Sequence, residues 1–250
     1  MARPSANDFV VVAQNARCMM RQFFKYSGLL VGAVLAVFLA YQGYILVKLW
    51  WWTDHNPSTT AFMSARLDLM QEKKPAAQLQ HVWIPYDKIS TNLKRAILVA
   101  EDDKFVDHEG FDWEGIQKAM DKNQKKGKVV AGGSTITQQL AKNLFLSGER
   151  SIYRKGEEAL ITVMMEWMMD KERILEIYLN VIEWGDGVFG AEAASRHYFG
   201  VGANQLTAEQ AARLAAMVPR PRFYDRNRNA PWLLKKTQII LERMPRAQLP

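Results

Sequence analysis

A single long apolar segment stands near the start of the chain. From Tyr26 to Val47, 22 residues pass without a charge, and as a helix at about 1.5 Å per residue they span about 33 Å, enough to cross a bilayer's hydrocarbon core. The segment is longer than the apolar core of a usual signal peptide, and no clear small-x-small cleavage site follows it. We predict an uncleaved transmembrane helix over residues 26–49, with a cleaved signal peptide as the alternative.

Helical periodicity dominates the rest of the chain. Apolar residues recur at i, i+3, i+4 and i+7 over residues 93–100 and stop immediately before Glu101, so this acid is predicted at a helix end. Strand signals are weak and short, at residues 81–84 and 129–130. Helix starts are indicated by Asp112 ahead of Ile116 and Met120, by Ser134 or Thr135 ahead of the buried row Ile136, Leu140 and Leu144, by Asp170 ahead of residues 171–180, and by the Thr207–Gln210 capping box ahead of residues 211–217. Helix ends are indicated by Gly200 after residues 191–199 and by Pro219 after residues 211–217. Pro231 suits the first turn of a last helix that runs to about Arg243. The predicted fold class is mainly α.

Two segments between these helices carry their own predictions. Residues 122–133 hold three glycines and four lysines, which is typical of a mobile loop. In residues 158–169, nine of twelve positions are apolar and surround the helix, so we expect this helix in the interior, with Glu158 partly desolvated. Its methionines are best explained as core filler.

The residues on either side of the apolar segment predict its orientation in a membrane and the division of the chain into segments. Four basic residues precede it and three tryptophans, 50–52, follow it, which by the positive-inside rule puts the N-terminus in the cytoplasm. We predict a cytoplasmic segment (1–25), the transmembrane helix (26–49), a linker (50–60) and one external domain (61–250).

The net charge is +7, but the external part is only modestly basic, and its lysines cluster at residues 122–128. This favours a phosphate-bearing small or lipid ligand over nucleic acid. The only cysteine, Cys18, lies before the span, so no disulfide is expected outside.

Five ordered motifs carry a family resemblance over about residues 60–245. They are Glu101-Asp102-x-x-Phe105-x-x-His108-x-Gly110-Phe111-Asp112, the run Gly132–Asn143, Arg154-Lys155-x-x-Glu158, Lys171-x-x-Ile174-Leu175-Glu176-x-Tyr178-Leu179-Asn180, and Gly185-x-x-x-x-Gly190-x-x-x-Ala194-x-x-Tyr198-Phe199-Gly200. With these motifs the chain resembles the monofunctional biosynthetic peptidoglycan glycosyltransferases, stand-alone relatives of the glycosyltransferase domain of bifunctional penicillin-binding proteins. The resemblance implies a lysozyme-like, two-lobed helical domain behind a single transmembrane helix.

The resemblance also implies a reaction. Lipid II would be polymerised into β-1,4-linked glycan strands with release of undecaprenyl pyrophosphate, by inverting direct displacement. Glu101 would be the general base for the acceptor hydroxyl, kept ionised by Lys104 and by the N-terminus of the helix after Asp112. The implied location is a bacterial inner membrane, single-pass, with the catalytic domain in the periplasm.

A second acid, Glu158, is implied at the donor pyrophosphate, where it orients cations or holds a divalent ion, Mg²⁺ or Mn²⁺. No metal-ligand set is predicted, because a lone histidine is poor evidence for zinc. His108 is expected to brace a loop and Asp112 to cap a helix. Thr135, Gln138 and Lys142 share one helix face and are expected to point into one place, and Glu158 is expected to pair with Lys142 or Lys155. The predicted substrate-binding residues are Asp102, Gln138, Gln139, Lys142, Asn143, Arg150 and Lys155.

Other interpretations stay open at this point. Glu101, Lys142 and Arg150 suit a solvated surface as well, Asp102 a helix cap, and Glu158 a structural ion pair. Two further functions fit the same layout: a membrane-anchored lytic transglycosylase or muramidase, and a catalytically silent scaffold. The expected partners are lipid II, the growing glycan chain and the membrane, with cell-division or elongation proteins as candidates and no nucleic acid.

Overall fold

The computed structural model describes residues 6–128, 132–146 and 151–250, with side chains from residue 19 onward. Internal contacts divide the chain into two units, Met1–Lys48 and Leu49–Pro250. Helix α1 (Ala6–Asp54) is the one described helix that is long and apolar enough to cross a membrane, and it includes the predicted span. It continues to Asp54, so the first residues of the predicted linker are helical.

Ten further helices build the second unit, with three short strands beside them in the described residues. The helices are α2 (Ala61–Gln71), α3 (Thr91–Glu101), α4 (Trp113–Lys126), α5 (Ile136–Phe145), α6 (Ile152–Met168), α7 (Lys171–Val181), α8 (Ala191–Phe199), α9 (Ala208–Met217), α10 (Pro221–Arg226) and α11 (Pro231–Arg243). The strands β1 (Gln80–His81), β2 (Glu183–Gly185) and β3 (Val188–Phe189) form a sheet in the order β1-β3-β2. β1 is parallel and β2 antiparallel to β3. The mainly α class is confirmed.

Two groups of helices supply the core of this unit. Helix α3 packs against α9 and α11, while α5 packs against α2, α6 and α7. The predicted apolar rows lie inside: Leu93, Ala96 and Ile97 of α3, and the row Ile136, Leu140 and Leu144 of α5, are buried. The end of α3 meets the beginning of α5, so the two groups join where the motif residues are concentrated.

Most predicted helix ends are confirmed by capping contacts. Asp112 accepts the Gly115 N–H at 2.9 Å, Asp170 accepts the Arg173 N–H at 2.7 Å, and Thr207 forms a capping box with Gln210. Such caps satisfy amide donors that the first helical turn leaves without partners. Local chemistry therefore fixes where these helices begin.

The prediction of a loop at residues 122–133 is wrong at its start. Helix α4 continues through the lysines to Lys126 and ends at Gly127, which adopts a left-handed φ of 61°. Lysine is a good helix former, and glycine accepts this left-handed conformation at a helix end without strain. The weak strand signal at residues 129–130 lies outside the described residues.

The prediction of an interior helix over residues 158–169 is also wrong. Helix α6 buries Glu158, Ile161, Thr162 and Met165, but Leu160, Val163 and Trp167 on its opposite side are 44%, 56% and 81% exposed. They recur at i, i+3 and i+7, so they form one stripe. An apolar composition all round the helix does not show which sides other elements cover.

Candidate active site

Glu101 is held by a chain of two hydrogen bonds. It is the last residue of α3, and its Oε2 accepts a hydrogen bond from Gln139 Nε2 at 3.0 Å. Gln139 Oε1 in turn accepts from the buried Tyr178 hydroxyl at 3.0 Å. Because the hydroxyl occupies the amide oxygen, the amide nitrogen is directed at the carboxylate. Tyr178 therefore orients Gln139, a role that the sequence did not predict.

Burial and charge compete at the Glu101 carboxylate. Desolvation raises its pKa, Asp102 raises it further, and the Gln139 hydrogen bond, Lys236 and Lys142 lower it. The sequence expectation for Lys104 is wrong, because Lys104 pairs with Glu114. Lys236 comes from α11, far along the chain, and was not predicted. Cations of α5 and α11 thus favour the ionised form of an acid whose pKa is still raised overall.

Asp102 and His108 join the end of α3 to the beginning of α5. Asp102 is buried, and His108 Nε2 lies 3.0 and 3.2 Å from its two oxygens. The Ile136 N–H at the start of α5 donates to Asp102 Oδ2 at 2.9 Å. The loop-bracing role expected for His108 agrees with this geometry. Both carboxylate oxygens of Asp102 are engaged by protein donors, so the geometry favours a structural role over the substrate-binding role predicted for it.

A capping box begins α5. Thr135 accepts the Gln138 N–H at 3.3 Å, and Gln138 Oε1 accepts the Thr135 N–H at 3.1 Å. The expectation that Thr135, Gln138 and Lys142 point into one place is wrong, since they line three different cavities. Instead, Gln139 and Lys142, one turn apart, both act on Glu101.

Two of the predicted cations, Lys142 and Lys155, line one cavity. We call it the Lys155 cavity; it has a volume of about 630 Å³ and is lined by Gly132, Ser134, Lys142, Ser151, Ile152, Arg154, Lys155 and Glu158. Glu158 is buried and pairs with Lys155, which confirms one of the two expected partners. Lys155 Nζ also lies 3.4 Å from Ser134 Oγ. Arg150, predicted to bind substrate, lies outside the described residues.

Arg154 is a cation that the predicted site residues omitted. Its Nε is buried and has no hydrogen-bond partner among the residues that the structure describes. A buried donor without a partner costs free energy. Arg154 is therefore a candidate to bind an anionic ligand in the Lys155 cavity. The signal was present in the sequence, because Arg154 precedes Glu158 by one helical turn within the third motif.

The Lys155 cavity shares a wall with a cavity at Glu101. The Glu101 cavity has a volume of about 260 Å³ and is lined by Glu101, Asp102, Lys104 and the loop 132–135, among others. Gly132 and Ser134 line both cavities. The Glu101 carboxylate and the positively charged side chains of the Lys155 cavity therefore lie near the same loop segment, residues 132–134. This is the arrangement needed to deprotonate one group while stabilising negative charge on another.

Comparison with known proteins identifies the family. A transglycosylase family profile matches residues 68–245. A biosynthetic peptidoglycan transglycosylase of Chromobacterium violaceum is 60% identical over 232 residues, covering 93% of this chain and all of the relative. One of Janthinobacterium sp. is 62% identical over 222 residues, covering 89% of this chain and 96% of the relative. The chain belongs to the transglycosylase family.

As a peptidoglycan transglycosylase the protein is a glycosyltransferase, and the matched region contains every predicted site residue that the structure describes. A third cavity, the Arg222 cavity, adjoins the site with a volume of about 220 Å³ and is lined by Phe62, Gln139, Lys142, Asn143, Glu183 and Arg222, among others. Asn143, a predicted site residue, donates to the Gln139 carbonyl at 2.8 Å. This transglycosylase therefore places Lys142 between the Lys155 and Arg222 cavities.

Glu183 is a buried acid of the transglycosylase that the sequence did not indicate. Arg66 Nε and Arg222 Nε each lie 3.4 Å from one of its oxygens. Desolvation raises its pKa, and the two arginines oppose this shift. The three residues come from α2, β2 and α10, so no local sequence pattern brings them together.

The described residues offer little for a resident metal. They contain no group of three or more His, Cys, Asp or Glu side chains that could hold one. In the Lys155 cavity the lining carboxylate is Glu158, which Lys155 already neutralises. Mg²⁺ is often held by one or two carboxylates together with substrate phosphates, so Glu158 would hold such an ion only together with a phosphate-bearing ligand.

Proposed function

We propose that this transglycosylase polymerises lipid II into β-1,4-linked glycan strands and releases undecaprenyl pyrophosphate. The observation that carries the proposal is the shared wall between the Glu101 cavity and the Lys155 cavity. Joining two lipid-linked sugars needs a base at the acceptor hydroxyl and cations at a diphosphate leaving group. The two cavities, which share Gly132 and Ser134, supply these functions.

Glu101 acts as the general base in this proposal. The 4-hydroxyl of the acceptor sugar lies in the Glu101 cavity and gives its proton to the carboxylate as the new bond forms. Burial raises the Glu101 pKa, and a carboxylate with a raised pKa is a stronger base while it remains ionised near neutral pH. Gln139 and Tyr178 hold the carboxylate in one orientation, which reduces the cost of reaching the reactive geometry.

Cations of the Lys155 cavity stabilise the leaving group. The acceptor oxygen attacks the anomeric carbon of the donor, the bond to pyrophosphate breaks, and negative charge moves onto the phosphate oxygens. Lys142, Arg154 and Lys155 line the cavity that receives this charge, and charge-assisted hydrogen bonds to phosphate are strong. Direct displacement inverts the α-linked donor into a β-linked product. Glu158 positions Lys155 through their ion pair.

The donor sugars extend from the Lys155 cavity into the Arg222 cavity in this proposal. Lys142 lines both cavities, so a ligand whose phosphate reaches Lys142 continues into the second space. The aromatic ring of Phe62, the amide of Asn143 and the Arg222 guanidinium are typical of a site with an apolar wall and a few orienting polar groups. This route keeps the anomeric carbon near Lys142.

The lytic alternative differs in the leaving group. Cleavage of a finished strand releases a neutral sugar and does not need the cations of the Lys155 cavity. The discriminating experiment incubates purified protein with lipid II in detergent, with and without Mg²⁺ or Mn²⁺, and separates the products by size. Long glycan strands are expected; release of muropeptides from preformed glycan, without polymerisation of lipid II, would contradict the proposal.

The proposed location is a bacterial inner membrane, with the N-terminus in the cytoplasm and the second unit in the periplasm. The basic residues before the apolar segment and the tryptophans after it support this orientation. The exposed stripe of α6, Leu160, Val163 and Trp167, supports work at a lipid surface, because soluble monomers seldom expose such a stripe without a partner. Cell-division or elongation proteins are candidate partners at this membrane.

A further inference from the structure

An apolar groove lies on the α4 side of the Lys155 cavity. We call it the α4 groove; its volume is about 230 Å³. Ile116, Ala119 and Met120 of α4 and the backbone of Gly133 form most of its exposed lining surface, and the polar residues Asn123, Ser134, Gln138 and Lys155 complete it. Its wall is therefore mainly hydrocarbon and backbone, unlike the charged Lys155 cavity beside it.

The groove and the Lys155 cavity meet at two residues. Ser134 and Lys155 line both spaces, and Lys155 Nζ lies 3.4 Å from Ser134 Oγ. A ligand with a phosphate in the Lys155 cavity can therefore continue past these two side chains into the apolar groove. This juxtaposition of an anion site and a hydrocarbon wall suits an amphiphile whose polar head and apolar chain are joined directly.

Gly133 sets the depth of the groove. A Cβ at this position would lie 2.9 Å from the Ile116 Cα, and real Cβ atoms do not approach backbone so closely. Glycine thus lets the loop before α5 approach the first turn of α4. Met120 is 61% exposed, so it can move to cover a ligand without disturbing the core, and a thioether side chain adapts well to irregular apolar surfaces.

We propose that the α4 groove holds the first isoprene units of the polyprenyl chain on the lipid-linked substrate. The inference rests on the proposed function, since it assigns the apolar part of the substrate whose diphosphate occupies the Lys155 cavity. A cavity of about 150 Å³ is known to hold benzene, so by simple proportion about 230 Å³ takes about nine carbons, close to two isoprene units. The remaining chain continues into the bilayer.

A chain-length series tests the groove. Substrates share one disaccharide-pentapeptide diphosphate and carry one, two, four or eleven isoprene units, and KM is measured in a single detergent for each. Because each methylene removed from water improves affinity about fourfold, KM should fall steeply from one to two units and then level off. A KM that does not depend on chain length up to four units would overturn the proposal.

Variants locate the effect. Met120→Gln keeps side-chain length and helix propensity but places an amide in the groove, and Ile116→Gln/Met120→Gln extends the change. For substrates of two or more units KM should rise about tenfold or more, while the one-unit substrate should be affected less than about twofold. Ile239→Gln on α11 is the matched control, because Ile239 is also an exposed apolar residue and lines none of the four cavities described above; it should leave every KM unchanged.

These measurements distinguish a failure of the groove assignment from a failure of the proposed function. If wild type polymerises every substrate but Met120→Gln weakens all chain lengths equally, Met120 acts on the head group and the groove assignment fails alone. An effect seen only with vesicles and absent in detergent would show that α4 docks on the bilayer, and would also reject the groove. If wild type polymerises none of the substrates, the proposed function itself fails.

Discussion

Two adjacent cations of the Lys155 cavity differ in what holds them. Lys155 neutralises the buried Glu158, whereas Arg154 has a buried Nε without a described partner. We expect Arg154→Met to lower kcat/KM about 100-fold, by analogy with the loss of one oxyanion donor, without lowering the thermal midpoint. Lys155→Met should lower both kcat/KM and the thermal midpoint. About 1–2 kcal/mol should be lost from the free energy of unfolding, because Glu158 is left without its ion-pair partner.

Initial rates and thermal unfolding of the two variants measure this difference. Arg154→Lys is the matched control, since it keeps the positive charge and should recover part of the rate. An Arg154→Met enzyme that unfolds earlier but turns over normally would show that Arg154 is structural.

Lys236 is expected to tune the pH dependence of the reaction. Among the described residues, the charged or titratable groups that act on Glu101 or are acted on by it include Asp102 just after α3, Lys142 on α5, Tyr178 on α7 and Lys236 on α11. Lys236 lowers the Glu101 pKa, so Lys236→Met should raise that pKa. Because the base must be ionised, the acidic limb of kcat/KM against pH should move to higher pH, and the rate should recover at alkaline pH.

Lys235→Met is the control for this prediction. Lys235 is its exposed neighbour on the same helix and is not among the groups that act on Glu101. Its pH profile should match wild type. A uniform loss of rate at every pH in Lys236→Met would mean that Lys236 contacts substrate and does not set the Glu101 pKa.

Some individual residues of the site could be predicted from the sequence and others could not. Glu101, Glu158 and Lys155 lie in compact motifs, and the Lys155–Glu158 pair follows from their i, i+3 spacing on one helix. Lys236, Arg66 and Arg222 act on site acids from distant segments, and no local periodicity reports such contacts. Lys104 was misassigned because closeness in sequence to Glu101 does not show that Glu114 is the nearer partner.

At the scale of elements, α5 is the helix that carries the site. Thr135 and Thr207 begin α5 and α9 with equivalent capping boxes. Thr135→Ala and Thr207→Ala should each cost about 1 kcal/mol of unfolding free energy, with slightly more for Thr135 because its hydroxyl also donates to the Gly110 carbonyl at 2.7 Å. Thr135→Ala alone should lower kcat, because α5 positions Gln139 and Lys142.

Denaturant unfolding and steady-state kinetics on both variants give the comparison. Thr207→Ala controls for lost stability without a change at the site. Equal kcat losses in the two variants would mean that overall stability, and not the position of α5, limits activity.

Helix ends were more predictable than helix surroundings. Caps and glycine stops depend on a few adjacent residues, so the beginnings of α4, α7 and α9 followed from sequence. The end of α4 was missed because a lysine-rich segment suggested a loop, although lysine favours helix and Gly127 supplies the stop. The open side of α6 could not be foreseen, because composition does not show which elements pack nearby.

At the scale of the whole molecule, the orientation of α1 can be tested with the chain's own cysteine. Cys18 precedes the apolar segment and is the only cysteine, so in intact spheroplasts it should resist a membrane-impermeant maleimide. A Cys18→Ser variant with cysteine introduced at the exposed Gln248→Cys position should react fully. Permeabilised cells control for reactivity. Labelling of Cys18 in intact spheroplasts, with Gln248→Cys protected, would reverse the proposed topology.

The second unit brings the proposed base and the proposed anion site together from two helix groups. Glu101 ends α3, which packs against α9 and α11, while the cations of the Lys155 cavity belong to α5 and α6. The Asp102–Ile136 bond and the Gln139–Glu101 bond join these groups.

The most direct test of the account measures glycan synthesis from lipid II by Glu101→Gln. The amide keeps the size of the side chain but cannot accept a proton, so strand formation should fall about 10²- to 10⁴-fold while lipid II binding stays within a few fold of wild type. Because burial raises the Glu101 pKa, the neutral amide should also make the protein more stable at neutral pH, an advantage that disappears below the acid's unfolded-state pKa of about 4.3. A Glu101→Gln enzyme that folds, binds lipid II and still makes strands at the wild-type rate would contradict the account.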